Sequence, residues 1–331
     1  MCNAGTRSAS IMPAMLNILS VTFPFFALVA AGFIATRVGW LALSAVPGLN
    51  SFVLYFAVPC MLFRFGANTP VAELLNPAVF GIYLLCALTM VTATILITKR
   101  GVIGWNDASL GALVAAFPNT GFMGVPLLTA LLGAAAAGPA IATILVDIVV
   151  TSSLCVALSR LDGAGIDGAG RAAKQALRRA ASNPMPWAIL LGTAASGFSI
   201  RLWGPLDDTV ALLANAASPV ALFTIGAVLA RSQMTSAHPM PKAHYLPGTL
   251  LKLFVHPALL WLLGKGAQMA GWAIDDFTLT CIVLVAALPS ASNVSLLAER
   301  FGADNGRIAR IILVTTVASF FTFSGAVAWL S

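Results

Sequence analysis

The segment Ala115–Leu128 reads AAFPNTGFMGVPLL and lies inside an apolar run long enough to cross a bilayer. Pro118 and Pro126 each remove a backbone donor, and Gly121 and Gly124 loosen the chain between them. Hydrocarbon offers no partner for freed N–H and C=O groups. Such a backbone therefore survives at membrane depth only inside protein or beside a water-filled cavity. A second stretch of this kind, Ala286–Leu297 (AALPSASNVSLL), lies near the other end of the chain. Both start on a Val-Ala-Ala-x-Pro run, Val114–Pro118 and Val285–Pro289, and both lead to a glycine-ended segment, LLGAAAAG and RFGADNG. Two interrupted hydrophobic segments at corresponding places of two halves point to the binding site of a secondary transporter.

Only 9% of the 331 residues are charged, against about 25% in a soluble domain, so an all-α polytopic membrane protein is expected. The net charge of +7 would suit a nucleic-acid binder, but the basic residues sit in short loops between apolar runs, and no nucleic-acid partner is expected. Cys2, Cys60, Cys86, Cys155 and Cys281 show no paired spacing, and His238, His244 and His256 form no ligand pattern with them. No metal or cofactor is expected.

At roughly 20 residues per span, ten spans are expected, at 16–36, 45–65, 77–98, 108–132, 139–158, 184–202, 207–230, 245–263, 277–300 and 307–330. The domains follow as an N-terminal tail 1–15, a five-helix repeat 16–159, a loop 160–183 and a second five-helix repeat 184–331. No cleavage site follows a short apolar core, so a removed signal peptide is not expected, and Met12 and Met15 stand as alternative starts. Thirteen of the 18 basic residues fall in loops after odd-numbered spans or at the span ends beside them, among them Arg37, Lys99, Arg171, Lys242 and Arg310. Those loops are therefore expected in the cytoplasm and both termini on the far side. The end of the central loop, RAAKQALRRAAS, suits either a basic helix lying on the anionic leaflet or a solvated connector. An odd number of spans per half means that the second repeat enters the membrane inverted. The pairs Pro59/Pro219, Leu62/Leu222 and Phe63/Phe223 in the second and seventh spans agree with this.

In the first break, Asn119 and Thr120, with Gly121, offer polar groups beside backbone freed by Pro118 and Pro126. In the second, Ser290, Ser292 and Asn293 follow Pro289. Each break starts a new half-helix whose N-terminus carries roughly half a positive charge, so an anion is the natural guest. The bland alternative is that these residues only satisfy a kinked helix. Asp147, in ILVDIVVT, is an intramembrane acid suited to a proton relay or to a cationic partner. Lys252 and His256, one turn apart, are candidate partners, although Lys252 is read first as snorkelling to the interface, His256 as capping a kink at Pro257, and Arg64 as an interfacial anchor.

FPNTGFMGVPLL, followed late in the chain by ALPSASNVSLLAERFGAD, resembles the bacterial branch of the auxin efflux carrier family, whose members are usually described as malonate or malate permeases. The resemblance covers essentially the whole chain. It implies that the broken fourth and ninth helices cross at Pro118 and Pro289, with Asn119 beside the substrate. It also implies a transport bundle of spans three to five and eight to ten that moves as an elevator. Spans one, two, six and seven would then be a scaffold able to form a homodimer. The central loop is much shorter than in the long plant carriers, so regulation through it is not expected. The function expected is secondary transport of a small organic anion through the bacterial inner membrane, with lipids as the other partner. A channel is one alternative, and a sodium- or proton-coupled symporter of the related bile-acid-transporter-like fold is another. An intramembrane enzyme is disfavoured, because the chain has no G-x-S-x-G elbow, no H-E-x-x-H pair and no pair of intramembrane acids.

Overall fold

The computed structural model of the chain describes residues 5–74, 76–100, 103–161, 170–172, 174, 175, 177, 178, 181–235 and 241–330. Much of the central loop, with its expected basic helix, lies outside the described residues. The elements are α1 (Gly5–Arg37), α2 (Val46–Asn68), α3 (Pro77–Thr98), α4 (Trp105–Ala116), α5 (Thr120–Leu132), α6 (Ala134–Leu158), α7 (Pro184–Gly197), α8 (Gly204–Thr235), α9 (Lys242–Met269), α10 (Asp276–Ala287), α11 (Val294–Phe301) and α12 (Asn305–Leu330).

Seven of these, α1, α2, α3, α6, α8, α9 and α12, are long and apolar enough to cross a membrane, and the chain is an integral membrane protein. The expected fourth and ninth spans are each two short helices, α4 with α5 and α10 with α11. The expected sixth span ends early. α7 has 14 residues, about 21 Å at 1.5 Å per residue, because the chain turns at Ser199, whose φ is 53°.

Prolines shape the long helices. Wide i→i+5 turns at Val53–Ala57, Thr120–Gly124 and Leu251–Val255 each end two residues before Pro59, Pro126 or Pro257. A proline has no N–H and its ring displaces the carbonyl one turn back, and a widened turn absorbs both defects. A fourth wide turn, Asp147–Thr151, has no proline and begins on a buried acid.

α1, α2, α7 and α8 pack chiefly on one another, α1 on α8 and α2 on α7. Both contacts are backbone against backbone. A methyl at Gly32 would strike the carbonyl of Phe223, and one at Gly226 would strike Val29 and Phe33. Across the other pair, Gly192 faces Phe63, and Gly66 faces Ile189 and Thr193. Each residue of the second contact has its counterpart in the first 160 positions away: 32 and 192, 63 and 223, 66 and 226, 29 and 189, 33 and 193. The remaining helices gather around the two breaks. Trp40, Trp187, Trp203, Trp272 and Trp329 stay exposed, as anchors at a membrane–water boundary do.

Candidate functional site

α4 ends at Ala116 because Phe117 is extended (φ −102°, ψ 101°), and α10 ends at Ala287 because Leu288 is extended (φ −61°, ψ 157°). The two extended pieces meet. Pro118 and Ser290 form an isolated antiparallel bridge. The Asn119 N–H donates to the Pro289 carbonyl at 2.8 Å, and the Ala291 N–H donates to the Phe117 carbonyl at 2.9 Å. A two-bond scrap of sheet thus satisfies groups that the prolines expelled from their helices, which is how irregular backbone is tolerated away from water. The Ser290 N–H is taken by Thr315 Oγ1 on α12 at 3.2 Å. The Asn119 carbonyl accepts from Met123 and Gly124 and so starts α5.

What remains unpaired is polar and buried. Among the described residues, Thr120 Oγ1, Ser290 Oγ and Asn293 Oδ1 are buried without a hydrogen-bond partner. They lie beside the first turns of α5 and α11, where a helix has backbone N–H groups without intrahelical partners. Buried polar groups are normally paired, so each orphan calls for a reason. Donors at two helix starts with hydroxyls between them can bind an oxyanion. Gly124 belongs to the same assembly, because a methyl there would sit 2.5 Å from Leu288 Cδ1 of the other break. Of the residues expected from sequence, Pro118, Asn119, Thr120, Gly124, Pro289, Ser290 and Ser292 are all buried here, while Gly121, Pro126 and Asn293 are partly exposed.

Asp147, Lys252 and His256 are fully buried. Asp147 is not held by Lys252 or His256. Its carboxylate accepts from the Tyr83 hydroxyl at 2.8 Å and from Thr151 Oγ1 at 3.2 Å. Its carbonyl accepts from the Ser152 N–H across the wide turn and from Ser152 Oγ at 2.8 Å. Lys252 does not snorkel, since its side chain is 0% exposed. Its ammonium donates to the Ala286 carbonyl at 2.7 Å and lies 3.1 Å from His256 Nδ1. Ala286 sits in the last turn of α10, where the break has removed the N–H that would have used this carbonyl. Lys252 thus places a positive charge on the negative end of a half-helix. His256 does more than cap a kink, for it orients that ammonium while its Nε2 has no partner among the described residues. Arg64 is half-buried with Nη1 enclosed, so it is no simple interfacial anchor.

Two participants were not expected. Tyr83 donates to Asp147, and its ring centre stands 6.4 Å from that of His256. It is the single tyrosine in α3, an otherwise apolar and hydroxyl-bearing helix, and that was the available signal. Thr315 gave no signal, because threonines are common in these helices and its partner lies 25 residues away.

The chain matches a protein family described as a membrane transport protein over residues 17–164 and 170–327. It is 29% identical over 316 residues to a protein of Rhizobium meliloti (strain 1021) named "Putative malonate transporter", covering 94% of this chain and 95% of that one. It is 30% identical over 196 residues to the "Uncharacterized transporter YfdV" of Escherichia coli (strain K12), 59% of each chain. An "Uncharacterized transporter" of Methanothermobacter thermautotrophicus is 26% identical over 304 residues, 88% of this chain and 91% of that one. With a match spanning nearly its whole length, and with the paired breaks that carried the resemblance, this chain belongs to the membrane transport family of the auxin efflux carriers.

Proposed function

We propose that the chain is a secondary transporter that carries a small organic anion through the bacterial plasma membrane by alternating access, with the anion held where the two breaks meet. The observation that carries this is the set of buried, unpaired polar groups at that junction: Thr120 Oγ1, Ser290 Oγ and Asn293 Oδ1 beside the starts of α5 and α11. The Lys252 ammonium at the end of α10 adds a positive charge nearby. The name of the Rhizobium relative makes malonate the first carboxylate to test.

In this proposal the ten spans are two inverted repeats of five, with both termini outside, and α4–α5 crosses α10–α11 at Pro118 and Pro289. The paired glycine contacts at a constant displacement support the repeat, since a twofold axis relating α1 to α7 and α2 to α8 turns the first contact into the second. α1, α2, α7 and α8 form the scaffold, also the surface for a homodimer. The helices around the breaks form the body that moves against it.

The buried Tyr83–Asp147 pair favours a variant of the same function, coupling to a proton, because an intramembrane acid is costly to keep and is retained for use. The test is uptake of a radiolabelled carboxylate panel into proteoliposomes, with and without a pH gradient. Saturable, competable uptake is expected. Linear, uncompeted flux would point to a channel and sink the carrier, and uptake indifferent to the gradient would remove the proton.

A further inference from the structure

The middle of the moving body holds one acid and one lysine. Asp147 lies midway along α6 and Lys252 deep within α9, and both side chains are 0% exposed. Among the described residues of α3 to α6 and α9 to α12, every other Asp, Glu, Lys or Arg lies in the first or last two turns of its helix. The two do not touch. Asp147 is held by the Tyr83 and Thr151 hydroxyls, and Lys252 by the Ala286 carbonyl and His256. They lie within reach of each other's charge all the same. The other titratable groups that feel Asp147 are Tyr83 and Cys86 of α3 and Cys155 of α6, and the one beside Lys252 is His256. None of these is a carboxylate, lysine or arginine. An ion buried at membrane depth costs far more alone than with a counter-charge, and Asp147 is the counter-charge to Lys252. An anion at the breaks would bring a second negative charge close to the same ammonium, because Ala286, the residue Lys252 holds, lies one turn before Pro289.

We infer that Lys252 fixes the valence of the guest: the carrier takes a monoanion together with one proton, which passes from water to the Asp147 carboxylate, and moves no net charge. Without the anion, the centre holds a charged Lys252 and a charged Asp147. With it, the centre holds a charged Lys252, a protonated Asp147 and one negative guest. Both forms sum to zero, so neither half of the cycle carries a charge through hydrocarbon. A dicarboxylate would enter with one of its carboxyls protonated. The inference rests on the carrier proposal and adds to it the charge moved per turnover.

The test is radiolabelled malonate uptake into proteoliposomes at equal pH inside and out, with a potassium–valinomycin potential imposed in either direction. Wild-type accumulation should be the same at both signs of the potential. A carrier that moved one net charge would instead change its accumulation about fiftyfold per 100 mV. Asp147→Asn keeps Lys252 but cannot take the proton, so its centre is positive without the anion and neutral with it. Each turnover of that variant moves one net negative charge inward. Its uptake should therefore become sensitive to the potential, with inside-positive vesicles filling further, a gain that the loss of a merely structural acid would not produce. Wild-type uptake that follows the potential overturns the inference and leaves the carrier standing, and so does an Asp147→Asn variant that transports but ignores the potential. If Asp147→Asn fails to fold, the wild-type comparison decides alone. Wild-type vesicles with no saturable uptake sink the carrier proposal and the inference together.

Discussion

Thr120→Val and Ser290→Ala should move stability and affinity in opposite directions. Both side chains are buried, at 0% and 1% exposure, and both oxygens lack a partner among the described residues. Leaving a buried polar group unpaired costs about 1–3 kcal/mol. Removing the oxygen while nearly keeping the shape should therefore leave the ligand-free protein as stable or more stable, by up to that amount. The anion would lose a hydrogen bond to a charged group, worth about 1.5–3 kcal/mol, and at about 1.4 kcal/mol per decade its affinity should fall roughly ten- to a hundredfold. Asn119→Ala and Asn293→Ala should lower affinity on the same scale. The assays are thermal unfolding in detergent without ligand, and competition of carboxylate uptake in proteoliposomes. The opposite pattern would refute the reasoning. If both changes destabilise the empty protein like ordinary core substitutions and leave affinity untouched, the two hydroxyls are packing groups and the anion binds elsewhere.

Pro118→Ala and Pro289→Ala should cut transport sharply while keeping or raising thermal stability, because each lets its helix continue and withdraws the Asn119–Pro289 and Ala291–Phe117 bonds that join the breaks. Pro47→Ala, in the first turn of α2, should be mild, and equal effects from all three would show the breaks to be packing features. Asp147→Asn should flatten the pH dependence of uptake in a folded protein, and Tyr83→Phe should shift that profile through the lost 2.8 Å bond. Unchanged profiles in both would leave the pair structural. For orientation, a single cysteine placed between 163 and 170 should react with an impermeant maleimide only after lysis, whereas one at the exposed Ala135 should react in intact cells. The reverse labelling would invert the topology.

The breaks could be read from the sequence because proline and glycine act locally. Pro118 and Pro289 end helices whatever surrounds them, and both helices do end within two residues of them. The partners of a buried charge are a different matter. They are set by which helices pack together, and nothing in ILVDIVVT says that α3 will bring Tyr83 to Asp147, or that Lys252 will find a carbonyl 34 residues later. Snorkelling was the natural reading of a lysine near the start of a span. It fails because α9 begins at Lys242, which sets Lys252 two to three turns inside the helix and beside the severed end of α10. The length of α7 is hidden from composition in a similar way, since the turn at Ser199 interrupts an apolar run that composition alone would extend.

The proposed internal repeat is weak in the sequence for a structural reason. In the α1–α8 and α2–α7 contacts, counterparts lie 160 positions apart, and Pro59 and Pro219 keep that spacing. At the breaks the spacing is 171, from Val114 to Val285 and from Pro118 to Pro289. The added residues therefore lie between α8 and α10, where α9 is 28 residues long against 22 in α3. A comparison at any one displacement finds half the correspondence and loses the rest. What both halves keep is the part that physics cannot vary. A backbone contact between helices admits only glycine, and a helix that must stop inside a bilayer needs a partner for the groups it frees. Elsewhere the two halves were free to diverge, and the buried charges show it, with Tyr83 and Asp147 from one half facing Lys252 and His256 from the other. In the proposed inverted repeat this asymmetry is what distinguishes two otherwise equivalent breaks, because among the described residues no ammonium is held at the end of α4 as Lys252 is at the end of α10.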